Sequence, residues 1–228
     1  MLSKKEFYQA PGPDREIREE HSRKIDELLG FEIPRIERTL LDEAMELFPG
    51  GNMQTWGHAL HDGNQTWVGL DHQVLQTPYD ELLEMALELN PLKEEYWIDL
   101  GAGYGRMGLL LHFLYPHVRF DGFELVKERV LEGQRIFDKF ECHKARLLEQ
   151  DLFAKEFSLP DADVYFLYDY GKVNHIRHTL KQIEEKAMTR NFKIIARGRG
   201  SRSLIDHEHP WLAVKPVKHY ENYAIYSY

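Results

Sequence analysis

The sequence predicts an α/β fold, a largely parallel sheet with helices on both faces, preceded by a helical extension. Three observations carry this. From Tyr96 onward, short apolar runs of strand length alternate with longer segments of helical period. The first run enters a glycine-spaced turn, Gly101, Gly103 and Gly105, and an apolar helix, Arg106–Leu114, follows at once. Successive runs also end in acids, Asp99, Glu124 and Asp151, which a parallel sheet would bring to one edge.

Composition bounds the function. A chain of 228 residues suits one domain with an elaboration, and 43% hydrophobic with 29% charged residues describes a globular protein. A net charge of −9 argues against a general polyanion binder, though a local basic patch is compatible with it. The single cysteine, Cys142, excludes an internal disulfide and fits a reducing compartment. No apolar run approaches the ~18 residues of a membrane span. The opening stretch MLSKKEFYQAPGPDRE lacks the apolar core of a signal peptide, so a soluble, cytoplasmic protein is expected.

Residues 1–72 are expected to form a helical extension with a hairpin, acting as a lid or substrate element, and residues 73–228 the main domain. Asp14–Leu29 reads as a charged helix with Ile17, Ile25, Leu28 and Leu29 apolar and Gly30 closing it. Pro34 opens a second helix, with Ile36, Leu40, Leu41, Met45 and Leu47 as its buried stripe. Gln54–Leu70 repeats QTW around HDGN and suggests a β-hairpin. His58, His61 and His72 match no ligand spacing, and no metal site is expected of them.

Thr77 is placed to cap the next helix, with Pro78 in its first turn, Asp80 near its positive end and Leu82, Leu83, Ala86 and Leu89 inward. The glycine turn lets the backbone approach a ligand where side chains would block it, and the helix start offers free N–H groups. Gly103, Gly105 and Gly108 also satisfy GxGxxG, so the glycines alone do not separate a dinucleotide from other nucleosides. The second strand, Val118–Glu124, ends about twenty residues on in Glu124, which can accept two ribose hydroxyls. A helix over Val126–Phe140 leads to a short third strand, Ala145–Leu148. Behind it Asp151 can take adenine amino hydrogens, while Leu152 or Phe153 packs on the ring. A fourth strand, Val164–Tyr168, a helix over Asn174–Met188 and a fifth strand, Phe192–Ala196, follow, and then two closing strands within Trp211–Tyr220 and Asn222–Tyr228.

DLGAGYGR, FELVKERV, EQDLF and the Thr-Pro segment together resemble the class I methyltransferases dependent on S-adenosylmethionine (SAM), over about Thr77–Tyr228 or two thirds of the chain. The combination looks closest to the seven-strand protein-lysine group, which includes the nucleosome-core histone and mitochondrial ATP-synthase c-subunit enzymes. The resemblance implies a Rossmann-like seven-stranded sheet with its last strand antiparallel. It also implies SAM as cofactor, with Asp99, Gly101, Gly103 and Gly105 at its methionine end, Glu124 at the ribose, Asp151 and Leu152 at the adenine, and Thr77 approaching from the preceding segment. An acid at Asp99 suits the cationic methionine end and sits poorly beside a pyrophosphate.

After the fourth strand the chain departs from that group. Tyr168-Asp169-Tyr170-Gly171 replaces the paired asparagines or the Asn-Pro-Pro-aromatic string of related enzymes, and the Asp-Asn pair of magnesium-dependent enzymes is absent. Asp169 can orient or deprotonate an amine, with Tyr168 and Tyr170 lining an aromatic channel, or it can hold the cofactor amino group, or the tyrosines simply pack. RGRGSR, Arg197–Arg202, can clasp a carboxylate or phosphate, or answer local acids, and His207 and His209 read as a solvated loop. Two function classes follow. One is a methyltransferase acting on a protein lysine nitrogen, or on an acidic small molecule or RNA. The other is a SAM-binding module without turnover.

Overall fold

The strand that carries the glycine turn is an inner strand of the sheet, the third of seven. In a computed structural model that describes residues 2–8, 15–52 and 67–228, a seven-stranded sheet has the order β3-β2-β1-β4-β5-β7-β6. Its strands are β1 (Tyr96–Leu100), β2 (Arg119–Glu124), β3 (Ala145–Glu149), β4 (Val164–Tyr168), β5 (Lys193–Arg197), β6 (Lys218–His219) and β7 (Tyr223–Ser227). The first five pair in parallel, and β7 enters antiparallel beside β5, Arg197 opposite Tyr223. The strand order reverses between β1 and β4, and a ligand crevice opens at such a switch point, outside the carboxyl ends of the strands.

Alternation along the strands builds two cores. Trp97, Phe120, Leu147, Val164 and Phe166 point to one face, Ile98, Leu100, Tyr165, Leu167 and Ile194 to the other. The first face is covered by α5 (Tyr79–Leu89), α6 (Arg106–Leu114) and α7 (Lys127–Lys139). The second is covered by α8 (Val173–Ala187) and α9 (Arg199–Glu208). The N-terminal elements α1 (Lys4–Phe7), α2 (Arg15–Leu29) and α3 (Ile33–Leu47) join the first core through Phe7, Ile25, Leu29, Ile33 and Leu40. A short helix, α4 (His72–Leu75), leads from them into α5, so the division placed between residues 72 and 73 falls at its first residue.

Several expected details differ. The buried face of α2 is Ser22, Ile25, Asp26 and Leu29, while Ile17 and Leu28 are exposed. Two polar side chains thus occupy a stripe read as apolar, because each has a partner on another element. On α3 the inward set is Ile33, Ile36, Glu37, Leu40 and Ala44, the true 3.6-residue stripe, and Met45 and Leu47 face out. The segment expected as a loop after β5 is α9, and Trp211 lies in a 3₁₀ turn, Pro210–Ala213, so the penultimate strand shrinks to Lys218–His219. The hairpin expected within Gln54–Leu70, with His58 and His61, lies outside the described residues except for Trp67–Leu70. No described helix is long and apolar enough to cross a membrane.

Candidate functional site

The glycine turn is pinned to the end of β2. The amides of Gly101 and Ala102 both donate to the Phe123 carbonyl at 2.9 Å. The next amide, that of Gly103, donates to Glu124 Oε2 at 2.9 Å, and the other Glu124 oxygen accepts from Val126 N at 3.0 Å. Gly101 has φ +85°, and a Cβ there would lie 2.2 Å from Tyr170 Cβ. Gly103 has φ +55°, and a Cβ there would meet nothing nearer than Gln76 Cγ at 3.9 Å. One glycine therefore admits the neighbouring loop, and the other faces open space.

That space is a cavity of about 300 Å³ at the carboxyl ends of the strands. Of the residues singled out in the sequence, Gly101, Gly103, Glu124, Asp151, Leu152, Tyr168, Asp169 and Tyr170 all contribute to its wall. Such a volume sits at the small end of ligand sites. Asp151 also turns the chain beneath it, accepting from Phe153 N at 2.8 Å. Asp99 is not in the wall but buried beside it. Burial, and then the charge of Glu124, hold its carboxyl well above the usual carboxylate range.

Gly105 and Thr77 stand apart from the cavity. A Cβ on Gly105 would press on Phe137 at 2.8 Å and Leu147 at 3.0 Å, so its place is in helix packing. Thr77 is buried, and its carbonyl accepts from Arg106 Nη1 at 3.3 Å. It does not cap α5. The cap position is Pro78, and the first amide of the helix, Tyr79 N, donates instead to Ser22 Oγ of α2 at 3.1 Å. A hydroxyl from another helix replaces the local one.

The segment after β4 also reads differently in three dimensions. Asp169, at φ +29°, turns its carboxylate onto the start of α9. It accepts from Ser201 N at 2.7 Å, Ser201 Oγ at 2.7 Å and Gly200 N at 3.2 Å. These bonds satisfy two amides that a helix start leaves open, in a segment that carries glycines at Gly198 and Gly200. Tyr170 is not open to a channel at its polar end: its hydroxyl donates to the His175 carbonyl at 3.2 Å and meets Thr179 Oγ1. Tyr168 donates to the Val74 carbonyl at 3.1 Å, tying α4 to the end of β4.

The arginines do not clasp an anion at the cavity. Arg197 pairs with buried Glu81, Nε to Oε1 at 2.7 Å, and lies over the Tyr168 ring at 4.1 Å. Arg202 donates to the carbonyls of Gly198 at 3.0 Å and Glu221 at 3.2 Å. Arg199 is exposed, and none of the three lines the wall. Of the two histidines read as a solvated loop, His209 is buried.

Sequence reasoning gives other wall residues no place at the site, and it reads His72 only as not a metal ligand. Glu37 and Arg129 reach it from α3 and α7, and His72, Gln76 and His175 from α4, its exit and α8. Burial, the largest effect on each, holds both His72 and His175 below the ordinary imidazole value. No helical period or motif spacing marks these positions. The only sequence signal is that Glu37 interrupts an apolar stripe. No group of three or more His, Cys, Asp or Glu among the described residues is arranged to hold a metal ion.

Comparison with solved structures fits this geometry. Precorrin-6Y C5,15-methyltransferase from Geobacter metallireducens superposes with a TM-score of 0.52 at 17% identity, covering 68% of this chain and 90% of that one. The fold is that of the class I SAM-dependent methyltransferases. An RNA methyltransferase from Salinibacter ruber, solved with S-adenosylhomocysteine (SAH), aligns over 67% of this chain and 92% of its own at 19% identity and a TM-score of 0.47. A putative RNA methyltransferase from Pyrococcus horikoshii aligns over 84% and 94% at 17% identity and 0.48. No protein-family profile matches the sequence, and no curated protein matches it. Within this fold, Gly101, Gly103, Glu124 and Asp151 line the crevice outside the carboxyl ends of the strands, while Asp99 and Gly105 are buried behind it.

Proposed function

We propose that this protein is a SAM-dependent methyltransferase and that its acceptor is an amine, a protein lysine in the form we favour. The observation that carries the cofactor is the convergence of acids from three neighbouring strand ends on the glycine turn. Glu124 and Asp151 line the cavity, and Asp99 lies close enough to Glu124 for its charge to be felt. Such a site favours a ligand that brings donors and positive charge: a ribose diol to Glu124, an adenine amino group to Asp151, and an ammonium and sulfonium near Asp99. Leu152 supplies an apolar surface at the adenine end, and Gly103 leaves room for close approach.

When bound, SAM supplies a methyl group on a cationic sulfur. The acceptor nitrogen that takes this methyl group would gain a positive charge and shed a proton. What the chain contributes is mostly placement. Tyr168 and Asp169 hold their loop at the end of β4, fixed through Val74 and α9. An ammonium must lose a proton before it attacks, and His72 and His175 are the two imidazoles that the wall offers near it.

The charge of the wall supports an amine over an acid or RNA. Its fixed groups are four carboxylates, Glu37, Glu124, Asp151 and Asp169, against one guanidinium, Arg129. On this reading residues 1–72 are a site-building element that works with residues 73–228. Calorimetry with SAM, SAH and NAD tests the cofactor: SAM and SAH bind at one site, and binding of NAD alone overturns the reading. Labelled methyl transfer into cell extract, fractionated into protein, RNA and metabolites, tests the acceptor. Label confined to RNA or to acidic metabolites overturns the amine.

A further inference from the structure

The N-terminal helices reach the cofactor loop through buried charge. Glu37 on α3 accepts from Arg129 twice, Nε at 2.8 Å and Nη2 at 3.0 Å, and from the Tyr104 hydroxyl at 2.7 Å. Tyr104 stands between Gly103 and Gly105, and the third nitrogen of Arg129 lies 4.0 Å from Glu124 Oε1. Glu124 in turn holds Gly103 N. A continuous line of contacts therefore runs from α3 to the acid at the ribose position.

A second carboxylate acts on the other flank of the turn. Asp26 on α2 accepts from Arg106 through Nε at 3.2 Å and through Nη2, from Tyr79 Oη at 3.1 Å and from Gln73 Nε2 at 3.3 Å. Arg106 is the first residue of α6, directly behind Gly105. An arginine at a helix N-terminus opposes the dipole, and the Asp26 carboxylate offsets that cost. The connection between α2 and α3 is fastened to α7 as well. Glu132 Oε1 accepts from Glu32 N at 2.6 Å, and Arg135 and Lys139 donate to the carbonyls of Gly30 at 2.7 Å and Leu29 at 2.8 Å.

We propose that Glu37 is a positioning residue for the cofactor, setting Glu124 through Arg129, so that docking of α2 and α3 and filling of the cavity stabilise each other. This rests on the SAM reading above. The physical point is competition for one guanidinium. With Glu37 in place, Arg129 is engaged on α3 and Glu124 keeps its oxygens for Gly103, Val126 and a ligand. With Glu37 neutral, the buried Arg129 guanidinium loses its charged partner on α3, and Glu124, 4.0 Å from its Nη1, is drawn toward it and out of place.

Linkage requires the effect to run both ways. SAH binding should slow amide exchange along α2, Arg15–Leu29, which contributes no described residue to the cavity wall. Glu37→Gln should weaken SAH binding about 5- to 150-fold, the usual span of such couplings. In an Arg129→Gln background the same Glu37→Gln change should cost far less, because the competing guanidinium is gone. A wild-type protein that binds no SAH removes the cofactor reading and this inference together. Wild-type binding without any slowing of exchange in α2 overturns the coupling alone and needs no variant. Wild-type affinity in Glu37→Gln overturns it too, as does an equal loss with and without Arg129.

Discussion

Adding one methyl group at Gly101 and at Gly103 separates a glycine that packs from one that faces a ligand. At Gly101 an alanine pays twice. Its φ of +85° costs an L-residue about 1–2 kcal/mol, and its Cβ would lie 2.2 Å from Tyr170 Cβ and 3.4 Å from Tyr170 Cα, so the loop after β4 must move. Overpacking of that kind costs about 1–3 kcal/mol, for a total of about 2–5 kcal/mol. In a chain of this size each kcal/mol lowers Tm by about 2–4 °C, so Gly101→Ala should melt about 4–20 °C early. At Gly103 only the strain term applies, about 1–2 kcal/mol or about 2–8 °C, since the nearest atom is Gln76 Cγ at 3.9 Å. The cost there appears on binding: a methyl group in the cavity should weaken SAH by about 1–3 kcal/mol, or about 5- to 150-fold. Differential scanning fluorimetry and calorimetry on both variants read the two effects. Equal melting temperatures, or a Gly103→Ala protein that binds SAH as the wild type does, would refute the assignment of the two glycines.

Three further outcomes are expected. Glu124→Gln should weaken SAH about 10- to 100-fold with the fold intact, since a charge-assisted hydrogen bond contributes about 1.5–3 kcal/mol; unchanged affinity by calorimetry places the ribose elsewhere. Folded Asp99 keeps its proton to a higher pH than the unfolded chain, whose carboxyl titrates near 3.8. The folded state thus binds more protons above that value, and stability falls as pH rises from there through the raised folded value. Melting temperatures measured across pH should therefore show Asp99→Asn stabilising the ligand-free protein at neutrality, and a destabilised variant counts against the buried placement. Asp169→Ala should lower stability by about 1–2 kcal/mol, as the loss of a helix cap does, and speed amide exchange over Arg199–Glu208. Unchanged exchange there means that the carboxylate is not holding α9.

What the sequence determined by itself is the part of the protein written in local period. Strand-length apolar runs alternating with helical segments dictate a parallel sheet. The glycines after β1 and the acids at the ends of β1, β2 and β3 then arrive at one edge by topology alone. The tertiary structure decided who partners whom. Asp169 looked like a base facing the acceptor, but its oxygens go to Ser201, 32 residues away. Arg197 read either as an anion clasp or as the partner of nearby acids, and the acid that holds it is Glu81, from 116 residues back. Thr77 looked like a helix cap, but the first helical amide, Tyr79 N, goes to Ser22, 57 residues away from it. Glu37, 92 residues from Arg129, carried no signal beyond a charge in an apolar stripe. The reason is common to all four. A buried donor or acceptor must be satisfied, and a short-range pattern shows only that it can be, while the packing of distant helices against the sheet determines which group does it.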